Sequence, residues 1–291
     1  MKTAVITGAS SGIGLAAAAE FLQAGYRVIA IGHDEVRCEA AKVQLNAAYP
    51  DAAIIFLRAD LMQQREVERI ASEISSLLEA ENESRLEVLI NNAGCVRSWY
   101  ATTEEGYEQQ FALNHLAGFL LTYHLLPNLH RARGRVIMTG SESHKHTRMR
   151  WNDLMLSRGY NPLLAYKQSK LANLLFAEGL NNRYLDDGIT AYVVDPGLVC
   201  TDIGCKNTGG LVDWIWSLRK KHGCRPEVPA KTYIYLSETS PAPGALYYHL
   251  CRPNTYSRQV TRENANRLFL LSERLCGIAY PSFRRETERT K

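Results

Sequence analysis

The chain has 291 residues, 46% of them hydrophobic and 22% charged, and carries a net charge of +4 at pH 7. This balance is typical of a soluble globular protein, and it excludes both a disordered chain and a bundle of membrane-spanning helices. The basic runs, such as residues 219–221, are short, so the charge gives no indication of nucleic-acid binding.

Short β-branched runs alternate with longer helical patterns along most of the chain. Seven strands are predicted, at residues 4–7, 27–31, 53–58, 87–91, 135–139, 190–194 and 245–250. Helices are predicted at residues 12–23 and 162–184, where Asn161 suits the N-cap and Pro162 the first helical position. This alternation predicts an α/β fold: a single Rossmann-type doubly wound domain with a seven-stranded parallel sheet flanked by helices.

The cysteines and the amino-terminal residues indicate a compartment. The seven cysteines, an odd number, include no CxxC pair, which indicates reduced thiols in a cytosolic protein. The first strand-like run begins at Thr3, which leaves no room for a targeting segment, and no run reaches the roughly 20 apolar residues of a spanning helix. We expect a cytoplasmic protein without a membrane span, while peripheral contact with a membrane surface stays open.

A glycine-rich turn, TGASSGIG at residues 7–14, joins the first strand to the first helix. Glycines let the backbone approach a pyrophosphate, and free N–H groups and the helix dipole stabilise its negative charge. Tight turns also use glycine for steric reasons alone, but a strand before it and a helix after it favour a dinucleotide site. The residues predicted to bind the cofactor here are Gly8, Ser10, Ser11, Gly12, Ile13 and Gly14.

Tyr166 and Lys170 are four residues apart on a predicted helix, so they share one face of it. A free phenol has a pKa of about 10, too high for efficient proton transfer at neutral pH, and a nearby ammonium favours the phenolate. A YxxxK pair alone is weak evidence. Its helix follows the fifth strand, however, at the carboxyl edge of the sheet where a Rossmann fold keeps its reactive groups.

These motifs together resemble the short-chain dehydrogenase/reductase family, whose glycine motif is TGxxxGxG. The resemblance implies that Tyr166 is the acid/base, that Lys170 binds the nicotinamide ribose, that Ser141 holds the substrate oxygen and that Asn114 anchors a water. The family usually has Ser-Ser at the end of this strand, and Gly140 replaces the first serine here. Ser143 is therefore the alternative to Ser141.

Three further segments match cofactor motifs of that family. The resemblance implies that Asp60 and Leu61 contact the adenine, that the NNAG segment at residues 91–94 lines the adenosine side, and that a PGxxxT segment contacts the nicotinamide carboxamide. The residues assigned from the last two segments are Asn92, Ala93, Gly94, Pro196, Gly197, Val199 and Thr201.

The end of the second strand bears on the choice of cofactor. NAD-binding Rossmann folds place an acidic residue there, whereas NADP needs a cation. The acidic position reads Gly32, and His33 stands where NADP-using members often have arginine, so NADP is favoured, with Arg37 as a helper. A one-residue shift would place Asp34 on the ribose, which keeps NAD possible.

Residues 114–122 and 265–273 resemble the retinol dehydrogenase and WW-domain oxidoreductase branch. That resemblance implies a lipophilic carbonyl or alcohol substrate, such as a retinoid, steroid or aldehyde, and a homo-oligomer. We expect one domain over residues 1–291, with a dinucleotide-binding half of about 1–140, a catalytic and substrate half of about 141–291, and a lid at about 198–229. Trp214 and Trp216 in that lid would cover the substrate, pack into the core, join an oligomer contact or touch a membrane surface.

His144 and His146 suggest a metal site, but two histidines without a third ligand seldom form one, so we expect loop residues near the substrate and no metal. Two other functions share parts of the pattern. A cofactor-binding sensor or scaffold would have no chemical need for the Tyr-Lys pair. A sugar-nucleotide epimerase shares that pair but usually shows GxxGxxG and a longer carboxyl-terminal domain.

Overall fold

Strands and helices alternate along the chain in the predicted order. The computed structural model describes residues 1–81, 84–199 and 223–283. The strands are β1 (Thr3–Thr7), β2 (Arg27–Gly32), β3 (Ile54–Arg58), β4 (Val88–Asn91), β5 (Arg135–Thr139), β6 (Thr190–Val194), β7 (Tyr247–His249) and β8 (Arg252–Pro253). The helices are α1 (Gly12–Gln23), α2 (Glu35–Ala48), α3 (Gln64–Glu81), α4 (Gln109–Phe111), α5 (Ala117–His124), α6 (Leu126–Ala132), α7 (Pro162–Tyr184), α8 (Glu227–Glu238) and α9 (Arg262–Cys276), with a π-helical turn at Ala112–Leu116 and a 3₁₀ helix at Glu142–His146.

The sheet confirms the Rossmann-type fold and corrects the number of strands. Its order is β3-β2-β1-β4-β5-β6-β7-β8, and β1 to β7 are parallel. The predicted seventh strand is shorter than residues 245–250, because Leu250 and Cys251 form a turn at φ values of 49° and 61°. The chain then returns antiparallel as an eighth strand, β8. The strand order reverses between β1 and β4, which opens a crevice at the carboxyl edge of the sheet.

Both faces of the sheet are covered, which explains why its strands read as continuous apolar runs. Every residue of β1 is buried, and its neighbours Val5 and Ile6 belong to separate core clusters. One cluster lies under α3, α5 and α7, and the other lies under α1 and α8. Alanines at 16, 17 and 18 let α1 approach the sheet closely.

The carboxyl-terminal helix α9 packs against α7. Phe269 on α9 leaves no room for a side chain at Gly179, where a Cβ atom would lie 2.8 Å from its ring. After α9, the Tyr280 hydroxyl donates to the carbonyl oxygen of Phe119 over 2.6 Å. Helix α9 and the residues that follow it therefore pack over α7 and α5. Helix α7 is the one that carries Tyr166.

Two sequence predictions concern features beyond these elements. Among the helices within the described ranges, none is both long and apolar enough to cross a bilayer. Most of the expected lid, including Trp214 and Trp216, falls at residues 200–222 and lies outside the described residues.

Candidate active site

A cleft of about 400 Å³ opens at the carboxyl edge of the sheet, around the ends of β1, β4 and β5. It brings together most residues that the sequence assigns to a cofactor or to catalysis. These are Gly8, Ser10, Ser11, Gly12, Ile13, His33, Asp60, Leu61, Asn92, Ala93, Gly94, Ser141, Tyr166, Lys170, Pro196, Gly197 and Val199. Gly14 and Asn114 lie outside its lining, and Thr201 lies outside the described residues.

The cleft also has lining residues that the sequence does not assign. They lie within or next to the motifs that the sequence does assign, and only those motifs could have indicated them. They are Ile31, Gly32, Ala59, Met62, Cys95, Val96, Arg97, Leu113, Thr139, Gly140 and Leu198.

The glycine turn has the backbone that its sequence predicts. Gly8 and Gly12 have φ values of 67° and 57°, which favour glycine. A Cβ atom at Gly14 would lie 2.2 Å from the carbonyl oxygen of Gly8, so Gly14 permits close packing of α1 against the turn. At the N-cap, Ser11 makes no side-chain capping bond to the described residues, which leaves the first N–H groups of α1 directed at the cleft.

Thr7, at the end of β1, joins the glycine turn to the NNAG segment. Its hydroxyl oxygen accepts from the backbone N–H groups of Asn92 (2.8 Å) and Ala93 (2.9 Å). The Asn92 side chain donates back to the carbonyl oxygen of Thr7 over 3.1 Å. Thr7 belongs to the glycine motif but has no assigned role in the sequence analysis, and the structure makes it the link between two strand ends.

Tyr166 and Lys170 lie on one face of α7, as their spacing predicts. The Lys170 Nζ atom lies 5.6 Å from the centre of the Tyr166 ring and donates to the carbonyl oxygen of Thr139 over 3.0 Å. Burial lowers the pKa of Lys170 to about 8, while the acidic groups of Cys95 and Asp195 act in the opposite direction. The ammonium therefore stays largely charged at pH 7, next to the Tyr166 ring.

Asn114 lies in the π-helical turn behind the cleft. Its Oδ1 atom accepts from the backbone N–H of Cys95 (2.7 Å), and its Nδ2 atom donates to the carbonyl oxygen of Cys95 (3.1 Å) and to Ser169 Oγ (2.9 Å). A Cβ atom at Gly94 would lie 3.0 Å from Asn114 Oδ1 and 3.7 Å from Lys170 Nζ. Asn114 therefore holds the backbone of Cys95 in place, and the neighbouring Gly94 lies between Asn114 and the Lys170 ammonium.

Of the two serines after β5, only Ser141 lines the cleft. Its Oγ atom accepts from the backbone N–H of Ser143 over 3.3 Å at the start of the 3₁₀ helix. The Ser143 Oγ atom is buried and finds no hydrogen-bond partner among the residues described. This placement favours Ser141 over Ser143.

The sequence predicts that His144 and His146 lie in a loop near the substrate. The structure places both in the 3₁₀ helix that follows Ser141, where His144 is fully buried and His146 is exposed. Across residues 1–81, 84–199 and 223–283, no three His, Cys, Asp or Glu side chains group as metal ligands.

Pro196, Gly197 and Val199, which follow β6, line the part of the cleft where the sequence predicts the nicotinamide, and we call this part the nicotinamide end. Gly197 has a φ value of 70°, and its N–H donates to Asp195 Oδ1 over 2.9 Å. The Asp195 carboxylate is buried and also accepts from the Tyr247 hydroxyl over 2.7 Å.

His33, Asp60 and Leu61 line the part of the cleft where the sequence predicts the adenosine, and we call this part the adenosine end. Asp60 accepts from the backbone N–H of Met62 over 3.1 Å, so its loop is fixed locally. Asp34 instead caps α2, accepting from the backbone N–H of Arg37 over 2.9 Å. Both Asp34 and Arg37 lie outside the cleft lining, which leaves His33 as the exposed side chain at this end.

The chain is similar in sequence and fold to several known proteins. A family model described as short chain dehydrogenase matches residues 2–209. Retinol dehydrogenase 14 of Mus musculus is 34% identical, over 95% of this chain and 86% of its own length. Retinol dehydrogenase 13 of Homo sapiens is 33% identical, over 98% of this chain and 87% of its own. A crystal structure of an uncharacterized protein from Mycobacterium paratuberculosis is 30% identical, with a TM-score of 0.73, and covers 97% of this chain and 95% of its own.

Proposed function

Because the chain belongs to the short-chain dehydrogenase family of oxidoreductases, we propose that it transfers a hydride between a nicotinamide cofactor and a carbonyl or alcohol. One observation carries the proposal. Tyr166, Lys170 and Ser141 lie in the same cleft as the glycine turn, so proton-transfer groups and a dinucleotide site share one space.

The glycine turn and the start of α1 suit the pyrophosphate of a dinucleotide. The N–H groups that begin α1, free of a side-chain cap from the described residues, and the positive end of the helix dipole would hold a pyrophosphate. A Cβ atom at Gly14 would collide with the carbonyl oxygen of Gly8 and with Asn92, so this glycine lets α1 begin close to the turn and present its N–H groups to such a group. When bound, the nicotinamide would supply the hydride in reduction or accept it in oxidation.

The side chains of this protein would then transfer the proton, stabilise the phenolate and polarise the substrate oxygen. In reduction, the Tyr166 hydroxyl donates its proton to the substrate oxygen, and in oxidation the phenolate removes that proton. The Lys170 ammonium stabilises the phenolate, and it is placed to do so by its bond to Thr139. Ser141 donates a hydrogen bond to the substrate oxygen and polarises it.

We propose NADP as the preferred cofactor, with NAD as the weaker one. Gly32 lines the cleft where an NAD-binding fold needs a carboxylate, and Asp34 is engaged in capping α2. His33 is exposed there, and Arg58 lies next to it, with its Nε atom 3.4 Å from the carbonyl oxygen of His33. The guanidinium of Arg58 and a hydrogen bond from the His33 ring would favour a 2′-phosphate at this end.

We propose a lipophilic substrate, of retinoid, steroid or long-chain aldehyde type. The cleft lining contributes Val96, Leu113 and Leu198, and an apolar wall excludes water from the reacting atoms. The relatives at 33–34% identity named above are retinol dehydrogenases by name, which supports the same class.

A binding and turnover experiment tests the function. We would titrate NADPH and NADH by fluorescence, and then follow NADPH oxidation with all-trans-retinal, a steroid ketone and nonanal. NADPH-dependent reduction of at least one of them is the expected result. Tight NADPH binding without turnover of any carbonyl or alcohol would instead support a cofactor sensor or scaffold.

We propose a cofactor-binding half of about 1–140 and a substrate half of about 141–291, a homo-oligomer, and a cytoplasmic location with peripheral membrane contact open. Light scattering after size exclusion would give the oligomer, and cell fractionation would give the location.

A further inference from the structure

His144 lies directly behind the cleft residue Ser141. Its backbone N–H donates to the carbonyl oxygen of Ser141 over 3.2 Å, and its ring atom Nδ1 lies 2.6 Å from the same oxygen. The ring is fully buried, and its Nε2 atom lies 3.2 Å from the backbone nitrogen of Ser257. One side chain therefore connects the segment that carries Ser141 to a segment 113 residues further along the chain.

The partners of His144 determine where its ring proton lies. A carbonyl oxygen can only accept and a backbone N–H can only donate, so Nδ1 donates to Ser141 and Nε2 accepts from Ser257. The imidazole is neutral when it makes both bonds. Burial lowers the pKa of His144, which favours this neutral form.

Tyr247 joins this histidine to the nicotinamide end of the cleft. Its ring packs edge-on against His144, with the ring centres 5.0 Å apart, and its hydroxyl donates to Asp195 Oδ2 over 2.7 Å. Oδ1 of the same carboxylate accepts from the N–H of Gly197 over 2.9 Å. One connected set of buried groups thus contacts both Ser141 and the nicotinamide end.

Gly140, which has no side chain, lies against the same group of residues. A Cβ atom there would lie 2.6 Å from Val193 Cγ1 and 3.4 Å from the ring of Tyr247. The space that a serine would fill at this strand end is therefore taken by Val193 and Tyr247. A glycine at position 140, where the family pattern has serine, thus leaves space for the Tyr247 ring, which packs against His144.

We propose that His144 is a positioning residue that, with Tyr247 and Asp195 behind it, fixes Ser141 against the nicotinamide end. The inference rests on the proposed function, because it requires Ser141 to polarise the substrate oxygen. Two bonds to the Ser141 carbonyl restrain the backbone of that residue and so the direction of its hydroxyl. Catalysis needs such donors held to within about 0.5 Å.

The first test separates catalysis from cofactor binding. With NADPH and all-trans-retinal, His144→Ala is expected to lower kcat by about 10-fold to 100-fold, as a misplaced polarising donor would. The Kd for NADPH, measured by fluorescence, should change less than about threefold, since His144 is outside the cleft lining. The control is His146→Ala, an exposed histidine of the same 3₁₀ helix, which should leave both values unchanged. A full kcat in His144→Ala would overturn the inference.

A double-mutant cycle tests whether His144 acts through Ser141. In a Ser141→Ala background the polarising hydroxyl is already gone, so adding His144→Ala should lower kcat no further. Equal losses in both backgrounds would show that His144 acts through general stability, and full activity of Ser141→Ala alone would overturn the inference at its premise. The proposed function has its own separate criterion, namely the loss of turnover in Tyr166→Phe.

Two polar variants keep the inference testable if alanine impairs folding. His144→Asn places an amide donor near the Nδ1 position, and His144→Gln places an amide oxygen near the Nε2 position. The asparagine variant should therefore retain more kcat than the glutamine variant, since it preserves the bond to Ser141. The reverse order would contradict the inference.

Discussion

The Lys170 ammonium lies 5.6 Å from the centre of the Tyr166 ring and donates to the carbonyl oxygen of Thr139, at the end of β5. That bond aims the cation at the cleft rather than at solvent. Since Ser141 follows the same strand end by two residues, one short segment orders the cation and the Ser141 hydroxyl together.

The variant Tyr166→Phe should abolish turnover and leave NADPH binding within about threefold of the parent chain, since only the proton-transfer group is removed. Single-turnover mixing with all-trans-retinal measures the first effect, and fluorescence titration measures the second. Tyr160→Phe is the matched control, because Tyr160 bonds to Glu108 and lies outside the cleft lining. Retained turnover in Tyr166→Phe would exclude its role as the acid/base.

The pH profile should report Lys170. Its pKa is lowered to about 8, chiefly by burial, so the cation that stabilises the phenolate is lost as the pH rises through 8. For NADPH, kcat/KM reflects the free enzyme and should fall about tenfold per pH unit above that value. Lys170→Met should lower kcat/KM by at least about 100-fold, and its profile should lack the fall above pH 8. A flat profile up to pH 10 in the parent chain would contradict the assignment.

The variant His33→Ala should weaken NADPH binding more than NADH binding, because His33 is the exposed side chain at the adenosine end, where a 2′-phosphate would lie. We expect a selective loss of about 1 kcal/mol or more in binding free energy, about fivefold in the ratio of the two Kd values. His130→Ala, outside the cleft lining, is the control. Equal effects on the two cofactors would place the 2′-phosphate elsewhere.

The variant Gly14→Ala should reduce both stability and NADPH affinity. Its Cβ atom would lie 2.2 Å from the carbonyl oxygen of Gly8 and 2.7 Å from Asn92 Nδ2, so α1 must move away from the turn. Overpacking of this kind costs about 1–3 kcal/mol in the free energy of unfolding. Gly244→Ala is the control, because its Cβ atom would meet no atom of the described residues within 4 Å. Urea unfolding and cofactor titration measure the two effects, and wild-type values for both would contradict this packing role.

The bounds of two helices follow from local signals in the sequence. The bounds of α1 and α7 match, because a glycine turn begins the first and Asn161 caps the second, accepting from the N–H of Leu164. The eighth strand was missed, because its turn uses Leu250 and Cys251 at positive φ, where glycine or asparagine would have signalled it.

The candidate site divides in the same way. Most of the lining residues that the sequence assigns lie in motifs next to strand ends. The burial of His144 could not be predicted, because its run of polar neighbours is typical of a surface loop and its partner Ser257 is distant in the chain. Contacts between distant segments leave no local pattern.

A buried histidine away from the cleft should make the free energy of unfolding depend on pH. His115 is fully buried among Phe111, Phe119 and Phe176, and burial lowers its pKa to about 3. The folded chain therefore keeps it neutral, while the unfolded chain protonates it below about pH 6.5. Stability from this group is complete above pH 6.5 and falls as the pH drops towards 3, by about 1.4 kcal/mol per pH unit.

The variant His115→Gln removes this titration. Urea unfolding at pH 7, 6 and 5 should show a deficit relative to the parent chain at pH 7, because the bond between His115 and Ser272 and the ring packing are lost. That deficit should shrink as the pH falls, since only the parent chain carries the cost of keeping a buried imidazole neutral. His146→Gln, at an exposed position, should run parallel to the parent chain. A constant difference between His115→Gln and the parent across this range would show that the folded chain protonates His115 as readily as the unfolded one.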